Sequence, residues 1–517
     1  LKFKAHIIGT PVKAASTFIF TLNPGFEVTA VNMGGKPLSF WREEHLLKID
    51  VQRTVKENER IAFTVEYEGV VDERICYLDI PEEMLNTQEK FMDNFNVGKR
   101  YGYQTAEYTL LTPELYWYPR PGVCYSSESP DWQQCYFTKF SMEVKPNAGM
   151  TVLSQGERRL SADSLTTSFS PEYPLQSLSL IIGPYKDCSI EVDSTLYSAW
   201  YIDGHDFFSQ ELDLIHDTIP SIISDVRFYY EEEVNMMYPF NRFSIIEVPA
   251  HFASYSRTWT QAQEKMQPEM VLVPEKMYNS WRFNIKQQKV LRQNQQRGGR
   301  GGWGGRGGQS MTDYDVQMAV FRDMLYFMWD RSSGYDFQEG AMGRGSVSVQ
   351  ESPFHIFPQM YNFRYNIYSS EWPVANRLIE LMLQNNGSGG MGNSWMRDVN
   401  GLSNEEKALM LMQDASFKDL LKETEYRDLM NNLIMLQGKK LFLDAERKLG
   451  VQAFRDTLSA HVLSNAFRNL SFEQLLDTLG QIAGTDIRSR LTEWNSPSQL
   501  AEFMIGTPVI TFVETPT

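Results

Sequence analysis

Histidine is scarce in this chain. Seven are present, His6, His45, His205, His216, His251, His355 and His461, and no two of them stand three to five residues apart. No single helix or tight turn therefore offers a pair of imidazoles to a metal, and a zinc site would need ligands from distant segments. Cysteine is scarcer still. Cys76, Cys124, Cys135 and Cys188 form no close pair of the metal-binding kind. Cys124 and Cys135 flank the turn-like segment SSESPDWQQ and could be bridged across a hairpin in an oxidising compartment; the alternative is that they act as small buried hydrophobes. Long apolar runs are missing too. SLSLIIG and MVLV are of strand length, far short of the roughly 20 residues a membrane-spanning helix needs. Positive charge is in deficit, with a formal net charge of −16. That excludes a general nucleic-acid binder, because neutralising phosphates needs a basic face. No Gly-x-Ser-x-Gly elbow, phosphate-binding Gly-rich loop or signal-peptide pattern occurs. The chain opens on Leu1 and not on Met, so it is expected to be a processed or excised piece of something longer.

What is present describes a packed, multidomain protein. At 517 residues the chain exceeds what one core sustains. Its 42% hydrophobic and 13% aromatic residues supply several cores. Residues 1–192 carry β-rich runs such as STFIFTL, RIAFTVEYEGV and CYFTKFSMEV, separated by turn residues, and predict a large antiparallel β domain. Residues 193–385 mix helical periodicity, as in ELDLIHDTIPSIISDVRFYYEEEV, with the strand-like RFSIIEVP, and predict an α/β domain. A linker over 386–402 leads to residues 403–496, which are of helical period almost throughout, followed by a tail at 497–517. Within the second region, RGGRGGWGGRGGQS at 297–310 superficially matches an Arg-Gly RNA-binding box. In so acidic a chain a flexible inserted loop is the better reading.

Three features bear on chemistry. Glu231, Glu232 and Glu233 form a charge run at a helix end, which predicts a solvated face. Carboxylates are too numerous to single out an acid and a base by spacing alone. AVFRDMLYFMWD, residues 319–330, has good helix formers and neither Gly nor Pro, and so predicts a helix with Arg322 and Tyr326 on one face and Asp323 beside them.

The segments RIAFTVEYEGV, ELYWYPRPGVCY, QCYFTKFSMEVKPNAGMTVLSQGE and PLQSLSLIIGPYK occur in an order that resembles the amino-terminal β domain of the aminopeptidase-N-like zinc peptidases. MYPFNRFSIIEVPAHF and PEMVLVPE are similar to the family's Tyr-Pro and Val-Pro strand segments. KKLFLDAERKLGVQAFRDTLSAHV and AGTDIRSRLTEW resemble its helical tail. The resemblance covers nearly the whole chain and implies an amino-terminal β domain, a thermolysin-like (zincin-like) α/β domain and an all-helical carboxy-terminal domain. GHDFF, YPFNRF, EVPAHFASYSRTWT and QPEMVLVPE further resemble the peptidase-like domain attached to bacterial ABC-type permeases.

The resemblance also implies where catalysis should be. With Met328-Trp329 placed on the family's aromatic run, its His-Glu-x-x-His motif falls on Arg322-Asp323-Met324-Leu325-Tyr326. An arginine has no lone pair to donate to zinc, and a phenol is a poor substitute for an imidazole. Asp323 keeps a carboxylate in the general-base position, one methylene short. The third ligand, a Glu on the next helix, would be Glu339 or Glu371, and neither stands at the family's spacing. In place of the family's amine-binding Gly-x-Met-Glu-Asn segment stands ASYSRTWTQAQEKMQPEM, with Gln267 and Glu269 as equally placed candidates. Arg322 and Asp323 would then be either a plain helix surface or the lining of a filled cleft. The expectation is a catalytically inactive aminopeptidase-like domain without its zinc or any other cofactor. It would serve as a binding or scaffold module for a protein or peptide on the extracytoplasmic face of a bacterial membrane, anchored by segments outside this chain as part of a transporter, with no nucleic-acid partner. The rival is an active metallopeptidase with scattered ligands such as His251, His355 and Glu371, for which zinc content and turnover are the discriminating measurements.

Overall fold

The computed structural model describes residues 1–80, 82, 85, 98–124, 136–206, 209–255, 264–275, 290, 312–328, 357–384 and 402–497. The Gly-rich tract at 297–310, the linker at 386–401, Cys135 and residues 498–517 lie outside them. The chain divides into two compact units, residues 1–373 with 463–470, and residues 374–462 with 471–517.

The first unit begins with seven strands, β1 (Lys2–Gly9), β2 (Ala15–Thr21), β3 (Phe26–Met33), β4 (Lys36–Pro37), β5 (Ser39–Glu43), β6 (Leu46–Val55) and β7 (Ile61–Gly69). They form two four-stranded sheets, ordered β1-β7-β3-β4 and β10-β2-β6-β5, with β10 at Arg120–Pro121. Period-two alternation explains the pairing. Ile61, Phe63, Val65 and Tyr67 of β7 are buried in turn, while the residues between them face outward or are only partly covered. Phe3 stacks on Tyr67 at 5.0 Å, and the Tyr67 hydroxyl donates to the Trp117 carbonyl at 3.0 Å. Smaller antiparallel sheets follow, one of β11 (Met142–Val144), β14 (Thr167–Ser170) and β13 (Glu157–Leu160), the other of β12 (Thr151–Leu153), β15 (Leu180–Gly183), β9 (Thr109–Leu111) and β8 (Tyr103–Gln104).

A five-stranded mixed sheet comes next, ordered β16 (Tyr185–Val192), β17 (Thr195–Ile202), β18 (Arg242–Val248), β20 (Met270–Pro274) and β19 (Met266–Gln267). β17, β18 and β20 run parallel, the pattern that needs a helical crossover. Helix α1 (Ile219–Val234) supplies one between β17 and β18; it carries Pro220 in its first turn and stops at Asn235 in the left-handed conformation. A division at residue 193 would cut the β16–β17 hairpin. Asp193 and Ser194, with φ of 48° and 59°, mark its tight turn and not a linker. Helix α2 (Asp313–Met328) starts where Thr312 and Asp315 exchange side-chain and backbone hydrogen bonds, and it buries Val316, Val320, Leu325 and Met328. Its range covers 319–328 of the expected helix.

The second unit is helical, from α3 (Ala375–Gln384) and α4 (Asn404–Asp414) through α5 (Met430–Leu449) and α6 (Val451–Ser464) to α7 (Phe472–Ala483). Residues 375–384, expected with the α/β region, thus belong to this unit. Ser403 and Glu406 close α4 with a reciprocal capping box. On α7, Phe472, Leu475, Leu476, Leu479 and Ala483 form one buried stripe at helical spacing, each of the larger side chains contributing about 2 kcal/mol. α5 and α3 meet at Gly438, where a Cβ would lie 2.3 Å from Leu378 Cδ1, so a larger residue would force that buried side chain to shift.

Candidate functional site

Side chains on a strand alternate between faces, and on the mixed sheet one face is lined with polar and aromatic groups. Ser198 and Trp200 of β17 and Arg242 and Ser244 of β18 line a cavity of about 540 Å³, with Gly156 and Glu269 among its other walls. Gly156 is required there. Its φ is +92°, and a Cβ would lie 2.4 Å from the Pro171 nitrogen.

Glu269 sits in the two-residue turn between β19 and β20, whose closing pair is Gln267 and Met270. Pro268 sets the first turn position, and Glu269 takes the second with φ +67°, a conformation that Gly or Asn ordinarily fills. The strained backbone aims the carboxylate inward, where only 3% of the residue remains exposed. One oxygen accepts the Gly156 N–H at 2.6 Å and lies 3.7 Å from Arg242 Nε, while Arg242 Nη1 donates to the Gly156 carbonyl at 2.8 Å. Burial pushes the Glu269 carboxyl up to about 7, with the Gly156 amide and Arg242 opposing and Glu172 adding to the rise. The cavity therefore holds a carboxyl that changes charge near neutrality beside the Arg242 guanidinium.

Gln267 is engaged differently. Its amide donates to the Glu264 carbonyl at 2.7 Å and accepts from Ser177 Oγ at 3.2 Å, and it takes no part in lining the cavity. Of the two candidates, Glu269 alone presents its carboxylate to the space.

The other expected positions scatter. Arg322 is exposed on α2. Asp323 and Tyr326 fall within the same helix, with side chains outside the description. His251 is partly buried in the loop after β18, and its carbonyl accepts the Arg100 N–H at 2.9 Å. Glu371 is exposed two residues after Ser369, whose hydroxyl accepts its N–H. His355 and Glu339 lie outside the described residues, as does the Cys135 half of the suggested disulfide. The Glu231 end of the acidic run is not a solvated face. Its side chain is 12% exposed and accepts from Arg227 Nε at 2.8 Å, the Tyr238 N–H at 2.6 Å and the Tyr361 hydroxyl at 3.1 Å. A glutamate four residues after an arginine carried the signal for that pair.

Among the described residues, one group has metal-ligating character: His205, Glu247 and Glu275, each offering an atom within 4.8 Å of the others. These residues are distant in sequence, and nothing in their spacing marks them.

No family profile matches the chain, and no curated protein sequence matches it. Solved structures similar to it include the M1 zinc metallopeptidase from Deinococcus radiodurans, at 12% identity and a TM-score of 0.46, covering 97% of this chain and 90% of that one. A mutant two-domain M1 zinc metallopeptidase bound to L-arginine gives 12% identity and a TM-score of 0.45, with 96% and 90% covered. A mutant bound to L-tryptophan gives 11% and 0.46, with 97% and 91% covered.

Proposed function

We propose that the chain is an aminopeptidase-like module that binds a protein or peptide and does not cleave it. The observation that carries this reading is the surface of α2. Where the sequence resemblance expects the first histidine of a zinc motif, the helix presents an exposed arginine, which cannot ligate a cation. Loss of that ligand, together with the absence of an amine-binding Gly-x-Met-Glu-Asn segment, removes both the metal and the grip on a substrate amino terminus. The polar cavity of the mixed sheet and its Glu269–Arg242 pair remain available for recognition. The same reading assigns the module to the outer face of a bacterial membrane as part of a transport protein, held there by other segments; no described helix is long and apolar enough to cross a membrane.

Hydrolysis of amino-acid anilides by the purified chain, with and without added zinc, tests the catalytic half of the reading. No turnover above the uncatalysed rate is expected. Zinc-dependent turnover would overturn it and favour the scattered-ligand enzyme.

A further inference from the structure

We infer that His205, Glu247 and Glu275 form a binding site for a divalent transition-metal cation of the Zn²⁺ kind. The argument starts from the sheet. Parallel strands place all their carboxyl ends at one edge, and that edge is where α/β sheets hold ligands. β17, β18 and β20 are consecutive parallel neighbours, and each delivers one residue there. His205 follows the end of β17 by three residues, Glu247 is the penultimate residue of β18, and Glu275 directly follows β20.

The geometry suits one ion. His205 Nδ1 lies 2.5 Å from Glu247 Oε1, and Nε2 lies 3.8 Å from Glu275 Oε1. These two contacts use different ring nitrogens, and an ion would take only one. With one ligand atom of each residue within 4.8 Å of the others, swinging the Glu275 carboxylate toward that nitrogen and opening the Glu247 contact would set one nitrogen and two oxygens at the roughly 2.0–2.2 Å that zinc requires. Glu275 is 44% exposed at its side chain, which leaves its carboxylate room to reorient.

Burial supplies an independent argument. The Glu247 side chain is only 3% exposed, and a buried charge is ordinarily paired or coordinated to a metal. Its orientation is already held: Oε2 accepts the Ile202 N–H at 2.7 Å, and its backbone carbonyl accepts the Tyr185 hydroxyl at 2.5 Å. Such outer contacts are what keep a metal ligand aimed. With a proton on each ring nitrogen, His205 alone would bridge the two carboxylates, and that bridge is the competing explanation. The donor set chooses among ions. One nitrogen and two oxygens disfavour Ca²⁺ and Mg²⁺, which take oxygen, and Zn²⁺ outranks Mn²⁺ at a mixed nitrogen and oxygen site.

The test is equilibrium dialysis of the whole chain against Zn²⁺, with Mg²⁺ as control, on the parent protein and on Glu275→Ala and His205→Ala. Glu275 is exposed enough that its variant should fold, which circular dichroism checks. One equivalent of Zn²⁺ is expected in the parent, at least tenfold weaker binding in each variant, and a zinc-dependent rise in Tm that Glu275→Ala loses. Absence of zinc uptake by the parent, or uptake by both folded variants within twofold of the parent, would overturn the inference and leave His205 as a protonated bridge. Anilide turnover bears on the proposed function and not on this site, so the two can fail separately.

Discussion

Replacing Glu269 by Gln should remove a specific pH dependence of stability. In the fold the carboxyl is raised from 4.5 to about 7, chiefly by burial. A raised carboxyl binds its proton more tightly in the native state than in the unfolded chain. Its contribution to stability is therefore fully present below about pH 4.5 and is lost as pH rises through about 7. At about 1.4 kcal/mol per pH unit between the two values, the loss is about 3 kcal/mol, most of it between pH 5 and pH 8. Only 3% of the residue is exposed, so solvent screening takes little from that figure. Glutamine keeps an acceptor for the Gly156 N–H and does not titrate. Urea unfolding at pH 5 and pH 8, followed by tryptophan fluorescence with Trp200 in the wall of the same cavity, reads the difference. The parent should lose about 2–3 kcal/mol more than Glu269→Gln across this range. Parallel losses in the two proteins would show that the carboxylate is solvated and that the cavity's charge balance has been misjudged.

Glu231→Gln should destabilise the first unit by roughly 3 kcal/mol in the same assay, because it leaves Arg227, 9% exposed, without its anionic partner. Gly438→Ala should lower the melting temperature of the helical unit through a clash with Leu378 costing about 1–3 kcal/mol, read by calorimetry; an unchanged or higher transition would mean that α3 and α5 do not touch there. Arg377→Met should cost about 3 kcal/mol in that unit, because Glu380, which Arg377 Nη1 contacts at 3.0 Å, would stay buried with the Asn376 amide but without its cation.

Architecture was legible in the sequence wherever one element buries one face. The alternation in RIAFTVEYEGV specifies β7, the 3.6-residue stripe of FEQLLDTLG specifies α7, and the breaker-free run before Met328 specifies α2. Boundaries were harder to read, because the turn residues Asp193 and Ser194 that close the β16–β17 hairpin have the same composition as a linker. The sites were legible only in part. The sequence left Glu269 and Gln267 as equal candidates in a displaced motif, because the cavity that separates them depends on Gly156 and Arg242, 113 and 27 residues before Glu269. His205, Glu247 and Glu275 carry no local signal, because three parallel strands, and not one helix, bring them together. Parallel pairing makes neighbours of residues separated by whole crossovers, and local spacing does not encode such contacts.

Attempted repair of α2 tests how far any former active site has been lost. Arg322→His, Asp323→Glu and Tyr326→His together restore His-Glu-x-x-His on a helix, with both imidazoles one turn apart on one face. The substitutions belong in a His205→Ala background, so that zinc held at the sheet edge is not counted as zinc held on α2. If the loss were confined to these three positions, zinc binding and aminopeptidase activity would return together. They should not. Glu371, a candidate third ligand, sits exposed in the turn beside Ser369, 45 residues beyond Tyr326, and Glu339 stands 13 beyond it. The amine-gripping segment is replaced by chain whose buried amide, Gln267, is already committed to Glu264 and Ser177. An ångström of misplacement costs on the order of a hundredfold in rate, and the variant restores neither the third ligand's spacing nor the amine-gripping segment. Weak zinc uptake without turnover of amino-acid anilides is the expected result, measured by dialysis and by release of the anilide chromophore. Turnover clearly above that of the parent would show that the third ligand and the substrate grip survive, and that this chain is an enzyme three substitutions from activity.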